Sequence, residues 1–385
     1  MDGHALIMDF ILISGININI LILYLLIKSR DRGLSQYLLI ACFSIFIFYI
    51  IAFYSDLHDI KWLEKGSFLF TESAPYLLGP LLYFYIKSLF VKIQFNKRTL
   101  VHFIPFLLHF SFITLPFFIS LIQRKWLFSY LKSVNDYGIS MSFFEDVYLV
   151  IYLLLSLRLF SRFQIALKST YSSLEEKDLN WSKRMLLSAL IVLGVDMSSS
   201  FYDILMGESD WISWSLTIVA MVIFEIYLGY YGTRQSRVFI PSFLLVEAPV
   251  PLILEHKDKF SSSHLANASA IEINELAQQL KTVLANERPY LNDSLTLNNL
   301  AKMLPTTDKK LSALLNLHLN ISFYDLINQH RVHAVKEKLS NPEFEHYSLL
   351  GIALDSGFKS KTSFNRVFKK ETGLSPSAYK NQKSR

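Results

Sequence analysis

Cysteine is almost missing from this 385-residue chain: the single one, Cys42, lies inside an apolar run. One thiol excludes an internal disulfide, and no cysteine-based metal centre can be built from it. Charge is scarce as well. Only 18% of residues are Asp, Glu, Lys or Arg, against about 25% in soluble domains. Catalytic signatures are also lacking: there is no Gly-rich phosphate loop, no His-Glu-x-x-His, no nucleophile elbow and no kinase-like phosphoacceptor histidine. These absences point to a protein that is not an enzyme and has no cofactor and no metal. Residues 5–27 are too long for the apolar core of a cleavable leader and follow no basic region, so they are read as a first membrane span.

What the chain does have is long apolar runs, confined to residues 5–232. A bilayer core needs roughly 20 apolar residues in helix. Seven stretches qualify: 5–27, 37–54, 68–91, 100–122, 143–160, 185–206 and 211–232. Loop charge gives an independent test, because cytoplasmic loops are enriched in Lys and Arg. Alternate loops place fifteen basic residues on one side: Lys28, Arg30, Arg32, Lys87, Lys92, Lys97, Arg98, Arg158, Arg162, Lys168, Lys177, Lys183, Arg184, Arg234 and Arg237. The other side carries five: Lys61, Lys65, Arg124, Lys125 and Lys132. The expected topology therefore has the N-terminus outside and everything after residue 232 inside. Residues 233–268 form a linker, interrupted by Pro241, Pro249 and Pro251.

From about residue 269 short amphipathic helices take over. Residues 272–286 place Ile273, Leu276, Leu280, Val283 and Leu284 on one face. Residues 297–304 and 308–317 follow, with Thr307 as an N-cap, then a long helix over 323–339. After Asn341-Pro342, residues 349–355 and 360–372 form a helix–turn–helix around Ser356-Gly357-Phe358, where Gly357 suits a positive φ. Phe358, Phe364, Val367 and Phe368 make the buried face of this unit, and Ser360, Lys361, Asn365, Arg366 and Lys369 lie mainly opposite. Residues 359–385 hold eight basic side chains against Glu371, whereas residues 269–358 hold eight basic and ten acidic ones. The surface that attracts phosphate is thus concentrated on the second unit.

Residues 297–379 resemble the AraC/XylS-type DNA-binding domain. The matching features are Leu300-Ala301, Leu311-Ser312, Ser322-Phe323, Arg331-Val332, Ile352-Ala353, Gly357-Phe358, Phe364, Phe368-Lys369-Lys370, Gly373, Ser375-Pro376 and Tyr379. The membrane half, with Leu78-Gly79-Pro80-Leu81-Leu82-Tyr83 and Gly229-Tyr230-Tyr231-Gly232, is similar to multi-pass bacterial members of that group. The resemblance implies an all-α fold: an N-terminal seven-helix transmembrane bundle plus a C-terminal domain with two helix–turn–helix units on a long central helix. It also implies double-stranded DNA as partner, a homodimer, and a place in the bacterial cytoplasmic membrane. Carried over by position, Lys361, Thr362, Asn365 and Arg366 would contact bases, Arg366 suiting guanine and Asn365 adenine. Lys359, Lys369 and Lys370 would contact phosphate. In the first unit Lys309 and Ser312 would face bases and Lys310 phosphate. Two departures stand out: Ala313 occupies a place where arginine is common, and Asn320 one where glycine is frequent. Asparagine also tolerates the left-handed conformation; weaker discrimination by the first unit is expected, with Lys309 and Lys310 mainly gripping backbone.

Ionisable side chains inside spans are costly and suggest function. Asp196, Glu225 and Glu72, with His102 and His109 seven residues apart on one face, are the candidates for sensing a small molecule, a proton or another signal. The competing reading makes Asp196 and Glu225 hydrogen-bond partners that fix bundle packing. The whole chain is expected to be a membrane-embedded transcription regulator, with residues 1–232 as sensor, 233–268 as linker and 269–385 as DNA reader. The alternative is a transporter or small-molecule receptor whose C-terminal domain docks other molecules without acting on DNA.

Overall fold

A computed structural model describes residues 3–29, 33–93, 96–116, 118–119, 138–174, 180–206, 211–234 and 270–383. The expected linker, 233–268, lies outside them except for its first two residues. Every named element among the described residues is helical, and their one extended pairing is an isolated antiparallel bridge between Tyr171 and Thr296. The chain divides into two compact units, Met1–Ser161 with Leu179–Phe239, and Arg162–Asp178 with Ile240–Arg385.

The first unit contains α1 (Gly3–Lys28), α2 (Leu34–Leu57), α3 (Lys61–Thr71), α4 (Pro75–Phe90), α5 (Lys97–Val101), α6 (Ile104–His109) running into a π-helical turn (Phe110–Thr114), most of α7 (Gly138–Thr170), α8 (Asn180–Met206) and α9 (Trp211–Arg234). Among the described residues, five helices are long and apolar enough to cross a membrane: Gly3–Lys28, Leu34–Leu57, Phe144–Thr170, Asn180–Tyr202 and Ser215–Thr233. Their outer faces are apolar too. Phe10 is 73% and Ile191 66% exposed, which would be costly in water at about 25 cal/mol per Å² and is natural against lipid.

The third and fourth expected spans differ from expectation. Residues 68–91 are not one helix, because α3 stops at Thr71 and α4 restarts with Pro75 in its first turn. Proline supplies no N–H, so Pro75 cannot bond back to the Thr71 carbonyl and continue α3. The remaining α4, at 16 residues, spans about 24 Å, short of the ~30 Å hydrocarbon core. Of the fourth expected span, 100–122, residues 117 and 120–122 lie outside the described residues, and the part up to Thr114 is divided among α5, α6 and the π turn, with Pro105 in the first turn of α6.

Small residues let these helices approach closely. A Cβ on Gly229 would lie 2.2 Å from Ile22 Cδ1, and one on Gly79 would lie 3.0 Å from Tyr152 Cβ. Met8, Leu12, Ile50, Ile218 and Val222 form a core joining α1, α2 and α9.

The second unit contains the end of α7, α10 (Ala270–Asn286), a 3-10 turn (Pro289–Leu291), α11 (Leu297–Met303), α12 (Asp308–Ala313) running into a π turn (Leu314–His318), α13 (Phe323–Ser340), α14 (Leu349–Asp355), α15 (Lys361–Thr372) and α16 (Pro376–Lys383). A hydroxyl caps the start of five of them: Thr296, Thr307, Ser322, Ser348 and Ser360 each accept from a backbone N–H three residues on. Each such cap satisfies a donor that the helix itself cannot pair and contributes about 0.5–2 kcal/mol. Gly373, at φ 77°, ends α15 in the left-handed conformation.

Two cores fill this unit. Leu280, Leu284, Leu300, Leu311, Leu314, Phe323 and Ile327 belong to one; Tyr324, Val332, Val335, Ile352, Phe358, Phe364 and Phe368 belong to the other. The central helix α13 supplies both, because Phe323 and Ile327 lie on one side of its 3.6-residue turn and Tyr324, Val332 and Val335 on the other.

Candidate nucleic-acid interface

The second helix–turn–helix is assembled around tilted and edge-to-face aromatic contacts. Phe358 and Phe364 have ring centroids 5.3 Å apart, Phe364 and Phe368 5.5 Å, and Phe368 and Tyr379 5.3 Å. Burial of Phe364, Val367 and Phe368 turns one face of α15 inward and leaves Lys361, Thr362, Asn365, Arg366, Lys369 and Lys370 exposed on the other. Gly357 holds the turn at φ +88°, and a Cβ there would stand 2.2 Å from the Tyr290 carbonyl oxygen. Only glycine satisfies both the backbone angle and the space.

Electrostatics grade this exposed row. Arg366 Nη2 donates to the Tyr324 hydroxyl at 3.3 Å, which steers the guanidinium from its base. Lys370 Nζ donates to Asp325 Oδ1 at 2.7 Å. Burial alone would raise the Asp325 carboxyl, but hydrogen bonds from Lys370 and Ser322 outweigh it and hold the group below its ordinary value. Lys359 is also exposed, at the turn before α15.

In the first unit Lys309 and Lys310 are exposed on α12, whereas Ser312 is 8% exposed and its hydroxyl accepts from Asn316 Nδ2 at 3.2 Å. Ser312 therefore faces the core rather than a groove: the six-residue α12 gives way to a π turn whose Leu314 and Leu315 are drawn inward. Ala313 is buried beside it, and Asn320 adopts φ 50°, the left-handed conformation anticipated for a residue standing in for glycine.

The membrane-side candidates fall into three groups. Glu225 is 2% exposed, and its Oε2 accepts from Asn19 Nδ2 at 2.7 Å across α1 and α9. Their other oxygens, Glu225 Oε1 and Asn19 Oδ1, are buried with no hydrogen-bond partner among the described residues. Asp196 is not in this pair. Together with Glu72, Glu145 and Asp146, it lies close enough to act electrostatically on the Tyr49 hydroxyl. His109 reaches the same region, with Nδ1 2.9 Å from Ser73 Oγ and Nε2 3.5 Å from Glu145 Oε1. His102 has its Nδ1 2.7 Å from the Tyr152 hydroxyl and its ring stacked on Tyr83. The two histidines thus take different hydrogen-bond partners, and Tyr76 and Tyr148 run between them: Tyr76 packs on His109 and on Tyr148, whose hydroxyl donates to the His102 carbonyl at 3.1 Å. Asn19, Ser73 and Glu145 were invisible to sequence reasoning, because their partners lie 206, 36 and 36 positions away. Among the described residues no cluster of His, Cys, Asp or Glu able to hold a metal ion is found.

Residues 300–382 match the family model described as a helix-turn-helix domain, which is of the AraC type. The match supports reading residues 300–382 as the DNA-binding helix-turn-helix domain of a transcription regulator. No curated protein and no solved structure matches the chain.

Proposed function

We propose that this protein is a membrane-embedded, sequence-specific transcription regulator that couples a signal at or beyond the membrane to promoter binding. The observation that carries the reading is the occurrence, in one polypeptide, of five apolar helices of membrane-crossing length and a matched helix-turn-helix domain. In this reading residues 1–232 sense, 233–268 connect and 269–385 bind DNA as a homodimer. The N-terminus faces outward and the DNA-binding domain lies in the cytoplasm of a bacterial cell. The excess of loop Lys and Arg on the cytoplasmic side supports that orientation.

Lys361, Thr362, Asn365 and Arg366 read base edges in the major groove, where helix–turn–helix units insert the N-terminal part of their second helix. Lys359, Lys369 and Lys370 grip phosphate. The first unit contributes Lys309 and Lys310, mainly to the backbone; the burial of Ser312 leaves it out of this set. The polar groups around Glu225 and His109 are where a stimulus would act, since any ligand must bind two arrangements of the bundle with different affinity to shift their balance.

The test is genome-wide mapping of DNA crosslinked to the full-length protein in native membranes. The expected result is a small set of promoters sharing a paired motif. Recovery of random DNA only, or of none, would reject the regulator reading in favour of a membrane receptor with a docking domain.

A further inference from the structure

The DNA-binding unit includes a piece of chain from far outside its own segment. Ser172, just after α7, is 1% exposed. Its hydroxyl donates to the Leu295 carbonyl at 2.7 Å, and its N–H points to the same oxygen at 3.3 Å. Its carbonyl accepts from Arg331 Nη1 at 3.0 Å and Asn328 Nδ2 at 3.1 Å, and its hydroxyl oxygen accepts from Arg331 Nη2 at 3.0 Å. Tyr171 forms the antiparallel bridge with Thr296, the cap of α11. Leu174 packs on the core of the second helix–turn–helix. Residues 171–174 therefore touch both reading units and the helix between them.

Arg331 is the hub of this arrangement. It is 1% exposed on α13, and it also donates from Nε to the Tyr290 carbonyl and from Nη2 to the Asn292 carbonyl, both at 2.8 Å. Those carbonyls lead into the first unit, while the Gly357 turn of the second unit packs against Tyr290 and the same guanidinium. A buried guanidinium must have its N–H groups paired. If residues 171–174 withdraw, three hydrogen bonds to Arg331 and Asn328 disappear at the point where the two units meet, two of them to the Ser172 carbonyl and one to its hydroxyl. The central helix then has either to keep unpaired donors in its interior or to shift until water reaches them. That is a two-state element of the kind a signal can bias.

We propose that Ser172 is a positioning residue for DNA reading. In this role residues 171–174 clasp the DNA-binding unit at Arg331 and fix the relation of its two helix–turn–helix units. Since residue 171 follows α7 without a break, movement of that helix acts directly on the clasp, a route distinct from the linker at 233–268. The inference rests on the DNA-reading function proposed above.

The test uses full-length protein in lipid nanodiscs and a pool of randomised duplex DNA. In a Cys42→Ser background, Tyr171→Cys with Thr296→Cys should crosslink readily with a short thiol reagent, and the crosslinked protein should select the same two-part motif as the wild type. Ser172→Ala, which fits the site but lacks the hydroxyl, should lower affinity for the two-part motif about tenfold, equivalent to about 1.4 kcal/mol. It should leave binding to the half read by α15, and the circular dichroism spectrum, unchanged. Ser172→Leu should deepen the loss and blur the preferred spacing of the halves. Failure of the cysteine pair to crosslink in folded protein overturns the clasp. Equal weakening on both motifs by Ser172→Ala, or no weakening, overturns the positioning role. If the wild type selects no motif, DNA reading itself falls and this role with it; a wild-type motif that Ser172→Ala reads unchanged sinks the role alone.

Discussion

Lys370, on the last turn of α15, donates to Asp325 on the first turn of α13 at 2.7 Å, so α15 is pinned to the N-terminus of the central helix by an ion pair. Ser322 supports the same carboxylate at 2.6 Å. The lysine is raised by its bond to Asp325, and the carboxyl is held below the ordinary 3.8. A depressed carboxyl stabilises the fold above its unfolded value and loses that contribution as pH falls through its folded value. Asp325→Asn is therefore expected to cost at most ~1 kcal/mol at neutral pH, because Lys370 is largely solvent-exposed and the pair is screened. The gap between variant and wild type should close in acid below pH 3.8. Chemical denaturation across pH measures it. The same variant removes the carboxylate that competes with phosphate for Lys370, so its non-specific DNA affinity should rise.

Arg366 and Lys369 are neighbours on one exposed face but are expected to act differently. Arg366→Ala should cost ~1–3 kcal/mol and relax preference at a single base pair. Lys369→Ala should weaken all sequences alike and flatten the salt dependence by about one. Binding titrations of full-length protein on matched and scrambled duplexes, at several salt concentrations, separate the two. Equal losses on both duplexes for both variants would remove the distinction.

Gly357→Ala puts a methyl 2.2 Å from a main-chain oxygen at φ +88°. Because main chain cannot swing aside as a side-chain tip does, we expect a loss of more than ~1 kcal/mol and a lowered melting temperature of the helix–turn–helix unit. A melting curve unchanged from wild type would show that the turn adopts another backbone angle.

The Asn19–Glu225 bond links α1 to α9 inside the bundle. Polar pairs between membrane helices couple by ~0.6 kcal/mol on average and up to ~1.7. A double-mutant cycle with Asn19→Ala and Glu225→Ala, read by unfolding in mixed micelles, should fall in that range. Glu225→Gln should keep most of it. A coupling indistinguishable from zero would assign the pair no part in bundle packing.

Orientation can be read with thiols, because Cys42 is fully buried. In a Cys42→Ser background, Lys65→Cys should react with an impermeant maleimide in intact cells, and Asn381→Cys only after lysis. The reverse pattern would invert the topology.

Much of the second helix–turn–helix was written locally. The caps, the Gly357 turn and the split of α15 into aromatic and cationic faces each depend on residues a few positions apart, and periodicity reports such relations directly. Ser312 misled because its spacing resembles an exposed helix position, whereas it is buried with Leu311 and Ala313 although Lys309 and Lys310 on the same short helix are exposed. Hydropathy likewise took residues 68–91 as one span; a window average has no means of registering that Pro75 restarts the helix. The partners of Glu225 and Arg331 were hidden for a different reason. Asn19 and Ser172 stand 206 and 159 residues away, and no local pattern encodes a pairing across that distance.

The two-sided character of α13 has a consequence for how the reader can vary. With Phe323 and Ile327 committed to one core and Val332 and Val335 to the other, neither unit owns the helix between them. Heat should therefore undo both together in one calorimetric peak, and a lesion in either should lower the melting point of its neighbour. Sequence drift in the first unit is then limited by what the more basic second unit needs to stay folded.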